Sequence, residues 1–67
     1  MGEDETEVLF PRLLTARDVA RIVNVPVSTI QHWALQGDGP PSFKIGKHRR
    51  FAAEDVLRWL AEARGVA

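Results

Sequence analysis

Lys44, Lys47, Arg49 and Arg50 fall within seven residues, with His48 among them and no acid. Such a run is by itself an ordinary solvated surface, but side chains that dense set up a local positive field suited to polyanionic phosphates. A second group lies upstream, where Ser28, Thr29, Gln31 and His32 crowd into five positions without a formal charge. Uncharged side chains of this kind suit base edges: glutamine pairs bidentately with adenine, histidine donates to guanine, and a leucine on the same face, Leu35, can meet a thymine methyl.

Other chemistries are poorly supplied. Cysteine is absent, and the two histidines, with fifteen residues between them, are weak metal ligands on their own, so no metal site is expected. His32 as a general base would need a positioned nucleophile or acid, and no spacing offers one. No catalytic residue, cofactor or enzymatic activity is expected.

The net charge of zero hides segregation along the chain. Glu3, Asp4, Glu5 and Glu7 hold four of the nine acids, leaving nine bases against five acids from Val8 onward. Residues 1–12 read as an acidic, disordered or extended tail that solubilises the chain, and 13–65 as a single domain. No apolar run is long enough to cross a bilayer and the N-terminus is acidic, so neither a membrane partner nor secretion is expected and the expected location is the cytoplasm.

Three helices and a hairpin must position the two groups. Thr15 and Asp18 have capping-box spacing, and Ala16, Val19, Ala20 and Val23 recur at the period of a helix. Asn24 suits a left-handed helix end, and Pro26 suits the start of a second helix running from about 26 to 36. Its inward stripe is Ile30, Trp33 and Ala34, which turns Ser28, His32 and Leu35 outward, flanked by Thr29, Gln31 and Gln36. Trp33 reads as core and Trp59 as partly buried at an edge. Free N–H groups at the start of this helix, with Ser28 and Thr29, offer a phosphate a further seat.

After the loop from Gly37 to Pro41 the period shifts toward two, giving strands around Phe43–Ile45 and Arg49–Phe51. Two registers are open. A two-residue turn with Gly46 first suits type II′, whereas a three-residue loop sets Phe43 opposite Phe51. Both place Lys47 and His48 at the tip. A third helix follows Ala52, with Val56, Leu57, Leu60 and Ala63 inward and Gly65 at its end. The fold class is therefore mainly α with a small β-hairpin, a winged helix-turn-helix in which the second helix enters the major groove of double-stranded DNA and the wing meets backbone or minor groove.

The order of these elements carries a resemblance. Leu14-Thr15, Val19-Ala20, Thr29-Ile30, Trp33 and Gly37 are similar to the excisionase and MerR-type winged helix-turn-helix domains. Pro41, Lys44-Ile45-Gly46, Arg50-Phe51, Asp55-Val56 and Trp59-Leu60 match their wing and closing helix. Pro26 and Val27 depart from the serine cap and polar residue usual there. The resemblance implies an excisionase, a recombination directionality factor that binds repeated sites head to tail with further copies of itself, bends DNA and assists an integrase. A MerR-like transcriptional regulator is the alternative, and a protein-binding adaptor gripping an acidic partner is the third reading. The sequence stops at Ala67 without a dimerising helix or effector domain, so no small-molecule effector is expected.

Overall fold

The computed structural model describes residues 12–65, and the acidic tail expected over residues 1–12 lies outside them except for Arg12. The chain runs β1 (Leu13–Leu14), α1 (Ala16–Val23), α2 (Val27–Gln36), β2 (Phe43–Ile45), β3 (His48–Ala52) and α3 (Ala53–Ala63). This is a winged helix-turn-helix: three helices and a small antiparallel sheet.

Helix α1 starts where the capping box places it. The Asp18 N–H donates to Thr15 Oγ1 and the Thr15 N–H donates to Asp18 Oδ2, both at 3.0 Å, so two otherwise orphaned donors are satisfied reciprocally. Asn24 ends the helix in the left-handed region at φ 62°, ψ 49°, its N–H donating to the Ala20 carbonyl. Only Val25 and Pro26 then separate Asn24 from α2. Pro26 is the cap of α2, at φ −62°, ψ 147°, rather than its first helical residue, and it supplies no side-chain acceptor. Gly37 closes α2 at φ 81°, and the Asp38 N–H reaches back to the Trp33 carbonyl at 2.8 Å.

Val19 and Ala20 of α1, Ile30 of α2, Phe51 of β3 and Val56 of α3 form the buried core, with Leu14, Val23, Val25, Val27, Trp33 and Leu60 packed around it. The indole rings of Trp33 and Trp59 meet at 5.8 Å between centroids with a tilt of 53°, an offset geometry that aromatic quadrupoles favour. Gly39 lies against this pair: a Cβ there would stand 3.0 Å from Trp33 Cε3, and its φ of +74° further disfavours a side chain.

The hairpin resolves the open register in favour of the two-residue turn. Ile45 pairs with His48, Lys44 with Arg49 and Phe43 with Arg50, around Gly46 and Lys47. Among those two only Gly46 has positive φ, as type II′ demands. Phe43 and Phe51 thus fall on opposite faces of the sheet. Phe51 is buried in the core while Phe43 remains 42 % exposed.

Two features differ from expectation. Leu13 and Leu14 form a third strand, β1, paired antiparallel to β3 through Leu13–Ala52 and Leu14–Phe51, which makes β3 the centre of the sheet. The Ala53 N–H also donates to the Arg12 carbonyl at 2.9 Å, tying the start of α3 to the chain ahead of β1. In α3, Leu57 and Ala63 are exposed rather than inward. The core is small enough that α3 meets it along a narrow stripe of Val56, Trp59 and Leu60, and Leu57, 100° round the helix from Val56, turns away.

Candidate nucleic-acid interface

An open groove separates the wing from the helices. One wall is α2, through Val27, Gln31, Ala34 and Leu35; the other is the hairpin, through Lys44, Lys47, His48, Arg49, Arg50 and Phe51. The end of the groove is closed by Thr15, Ala16 and Arg17 at the start of α1. None of these lining residues is acidic. Of the five described acids, Glu54, Asp55 and Glu62 belong to α3, Asp38 lies in the loop after α2, and Asp18 stands beside Arg17 at the groove's end, so the groove lining is cationic and α3 is the acidic helix.

The local structure explains why the wing can carry so much like charge. Its core face is anchored by Phe51 at one end of β3, and the strand then runs outward beyond the core. Water screens the exposed Lys44, Lys47 and His48 there. Arg49 is held by Ser42, its Nη1 donating to Ser42 Oγ at 2.7 Å, and Arg50 Nη1 donates to the Arg49 carbonyl at 2.8 Å. Both partners are neutral, so they orient the guanidinium groups without cancelling their charge. Among the described residues no wing cation forms an ion pair; the pair present, Arg58–Asp55 at 3.1 Å, lies on α3.

The structure brings together Gln31 and all five wing residues, Lys44, Lys47, His48, Arg49 and Arg50. Ser28 and His32 are exposed on α2 outside the groove lining, and Thr29 is half-buried, its N–H donating to the Pro26 carbonyl. The four polar residues of α2 therefore differ: Gln31 lines the groove beside the wing, while Ser28 and His32 point outward next to Leu35, beyond the groove lining.

Arg17 is the groove residue that sequence reasoning missed. A cation in the first turn of a helix opposes the macrodipole, but that mild mismatch does not point to the wing, and only the fold brings Arg17 to the groove. Beside it, the Asp18 carboxyl is held below the usual carboxylate range, chiefly by the Thr15 N–H and then by the Thr15 hydroxyl, with smaller help from Arg21 and Arg50. The wing's field thus extends to the start of α1.

Among the described residues no group of histidine and carboxylate side chains could hold a metal ion, and no helix is long and apolar enough to cross a membrane. No curated protein and no solved structure matches the chain. The helix-turn-helix domain family does, over residues 13–64, which takes in β1, both helices of the motif, the wing and α3. With α1, a three-residue turn and α2 in place and a cationic wing beside them, the chain belongs to the helix-turn-helix domain family and is a DNA-binding domain.

Proposed function

We propose that the domain binds double-stranded DNA sequence-specifically and acts as an excisionase, a recombination directionality factor. The observation that carries DNA reading is the pairing of walls in one groove: an uncharged helix face with Gln31 opposite a wing whose charged groups are all cationic. Gln31, His32, Ser28 and Thr29 contact bases in the major groove, and Lys44, Lys47, His48, Arg49 and Arg50 contact backbone or minor groove. Arg17 adds a phosphate contact at the groove's end.

The excisionase role is supported by the resemblance of the wing and helix sequences and by footprint. One ten-residue helix and one short hairpin cover few base pairs, so useful affinity needs several copies side by side. Head-to-tail copies need no two-fold interface, and their sites are direct repeats. Successive copies gripping both grooves bend the duplex, as an integrase complex requires.

Footprinting and gel shifts on DNA surrounding the protein's own gene test this reading. A monomer in solution, stepwise cooperative shifts on repeated sites and bent DNA are expected. A palindromic footprint bound by a stable free dimer would replace excision with transcriptional regulation. Failure to bind any duplex, with salt-sensitive binding to an acidic peptide instead, would make the domain an adaptor.

A further inference from the structure

Leu35 is 80 % exposed, the most exposed of the large apolar side chains among the described residues. A lone exposed leucine is ordinary on a protein surface. The setting of Leu35 is not ordinary, because it lines the cationic groove on the same wall as Gln31, one helical turn further on, and faces Lys44, Lys47 and Arg49. Whatever covers Leu35 must therefore be tolerated by three cations. An apolar protein partner would leave those cations desolvated and unpaired, which is costly. An anionic surface carrying a small apolar group at depth meets both demands.

Duplex DNA is such a surface. Its backbone is anionic, and the apolar group it displays in the major groove is the methyl on C5 of thymine. Gln31 and Leu35 are four residues apart, about 6 Å along the helix, or somewhat under two base-pair steps. Both therefore reach one short run of base pairs at once. From this placement we propose that Leu35 reads the C5-methyl group of a thymine within two base pairs of the base contacted by Gln31. The inference rests on the DNA-binding reading above and deepens it, making Leu35 a specificity residue of the same groove.

The test uses the full chain and a duplex carrying its footprinted site, with each thymine replaced in turn by deoxyuridine, which removes only that methyl. At one position the wild type should lose about fourfold in affinity, the equivalent of one buried methyl group. Leu35→Ala should bind the unmodified duplex several-fold more weakly and be indifferent to uracil at that position, while melting like the wild type and keeping its salt dependence. A parallel series with 5-methylcytosine for cytosine distinguishes the other source of the same group. Tightening at a methylated cytosine, with no response to uracil, would overturn thymine in favour of methylated DNA. If the wild type binds its site but ignores every methyl, or if Leu35→Ala stays sensitive to uracil, Leu35 is not the reader and the DNA-binding reading stands. Failure of the wild type to bind any duplex would remove both.

Discussion

Helix α2 turns Ser28, Gln31, His32 and Leu35 toward solvent without a formal charge, whereas the wing turns out Lys44, Lys47 and His48 with Arg49 and Arg50 behind them. The two walls also differ in how they are held. α2 is fixed through Ile30 and Trp33 and stopped at both ends, by Pro26 and Gly37. The wing has one deep anchor, Phe51, at the end where β1 also pairs with β3, and its outer half rests on the single ladder between β2 and β3 and the Arg49–Ser42 hydrogen bond. A reading surface needs fixed geometry, because a bidentate contact fails with small misplacement. Phosphate attraction is far less directional and tolerates a looser mount. A deeply packed uncharged wall and a more shallowly anchored cationic one suit those two requirements.

The strongest way to break the comparison is to remove the wing's anchor. Phe51→Ala should cost about 3 to 5 kcal/mol, enough to unfold a domain of this size, and thermal or denaturant melting reads it directly. A variant that melts normally but loses DNA binding would show that the wing folds independently of the core. Next in size is the cationic wall itself. Lys47→Ala with Arg49→Ala should weaken specific and unrelated duplexes alike, and each lost phosphate contact should lower the slope of log K against log salt by about 0.9. An unchanged slope would take the wing out of the interface.

The helix wall should respond in the opposite way. Gln31→Ala or His32→Ala should cost roughly 1 to 3 kcal/mol at one position of the site and leave unrelated DNA almost unaffected. Both side chains are exposed, so folding should be unchanged. The two substitutions also sharpen the comparison internally, since Gln31 lines the groove and His32 does not. A larger loss of discrimination at Gln31 would place the reading edge toward the wing, and equal loss at every sequence would deny α2 its role.

What the sequence made legible is mostly local. The Thr15–Asp18 box, the left-handed Asn24, the Gly37 stop and the basic tip around Gly46 all depend on partners within four residues, where residue type alone decides the geometry. The remainder depends on distant partners. Two leucines become a strand only because Ala52 and Phe51 lie opposite them, and no two-residue segment carries a period. The hairpin register turned on whether one or both phenylalanines enter the core, which depends on how much room Val19, Ile30 and Val56 leave. Leu57 was misread for the same reason: periodicity gives the direction of an apolar stripe, but its width is set by the surface it meets. In the groove, Gln31 and the five wing residues were legible by type, whereas Arg17 comes from a different helix and joins them only through the fold.

The smallest expected effect concerns the junction between the walls, where α1 begins. Thr15→Ala removes the hydroxyl that accepts from the Asp18 N–H and should cost about 1 kcal/mol, read as a lowered melting temperature. Asp18 makes the same junction sensitive to acid. Its carboxyl is held below its ordinary value of 3.8, first by the Thr15 N–H, then by the Thr15 hydroxyl, and to a lesser degree by Arg21 and by Arg50 of the wing. A carboxyl with a depressed folded-state pKa contributes stability that is full above the unfolded pKa, and that contribution is lost as pH falls through the folded one. Melting temperature should therefore decline below about pH 4, and Asp18→Asn should flatten that decline while leaving the neutral-pH fold intact. Arg50→Ala should flatten it less, because the hydrogen bonds to Thr15 remain and only the weaker charge contribution is gone. If Arg50→Ala flattens the acid limb as much as Asp18→Asn does, the wing's charge, rather than the capping box, holds the start of α1, and the wing is far more than a compliant grip on phosphates.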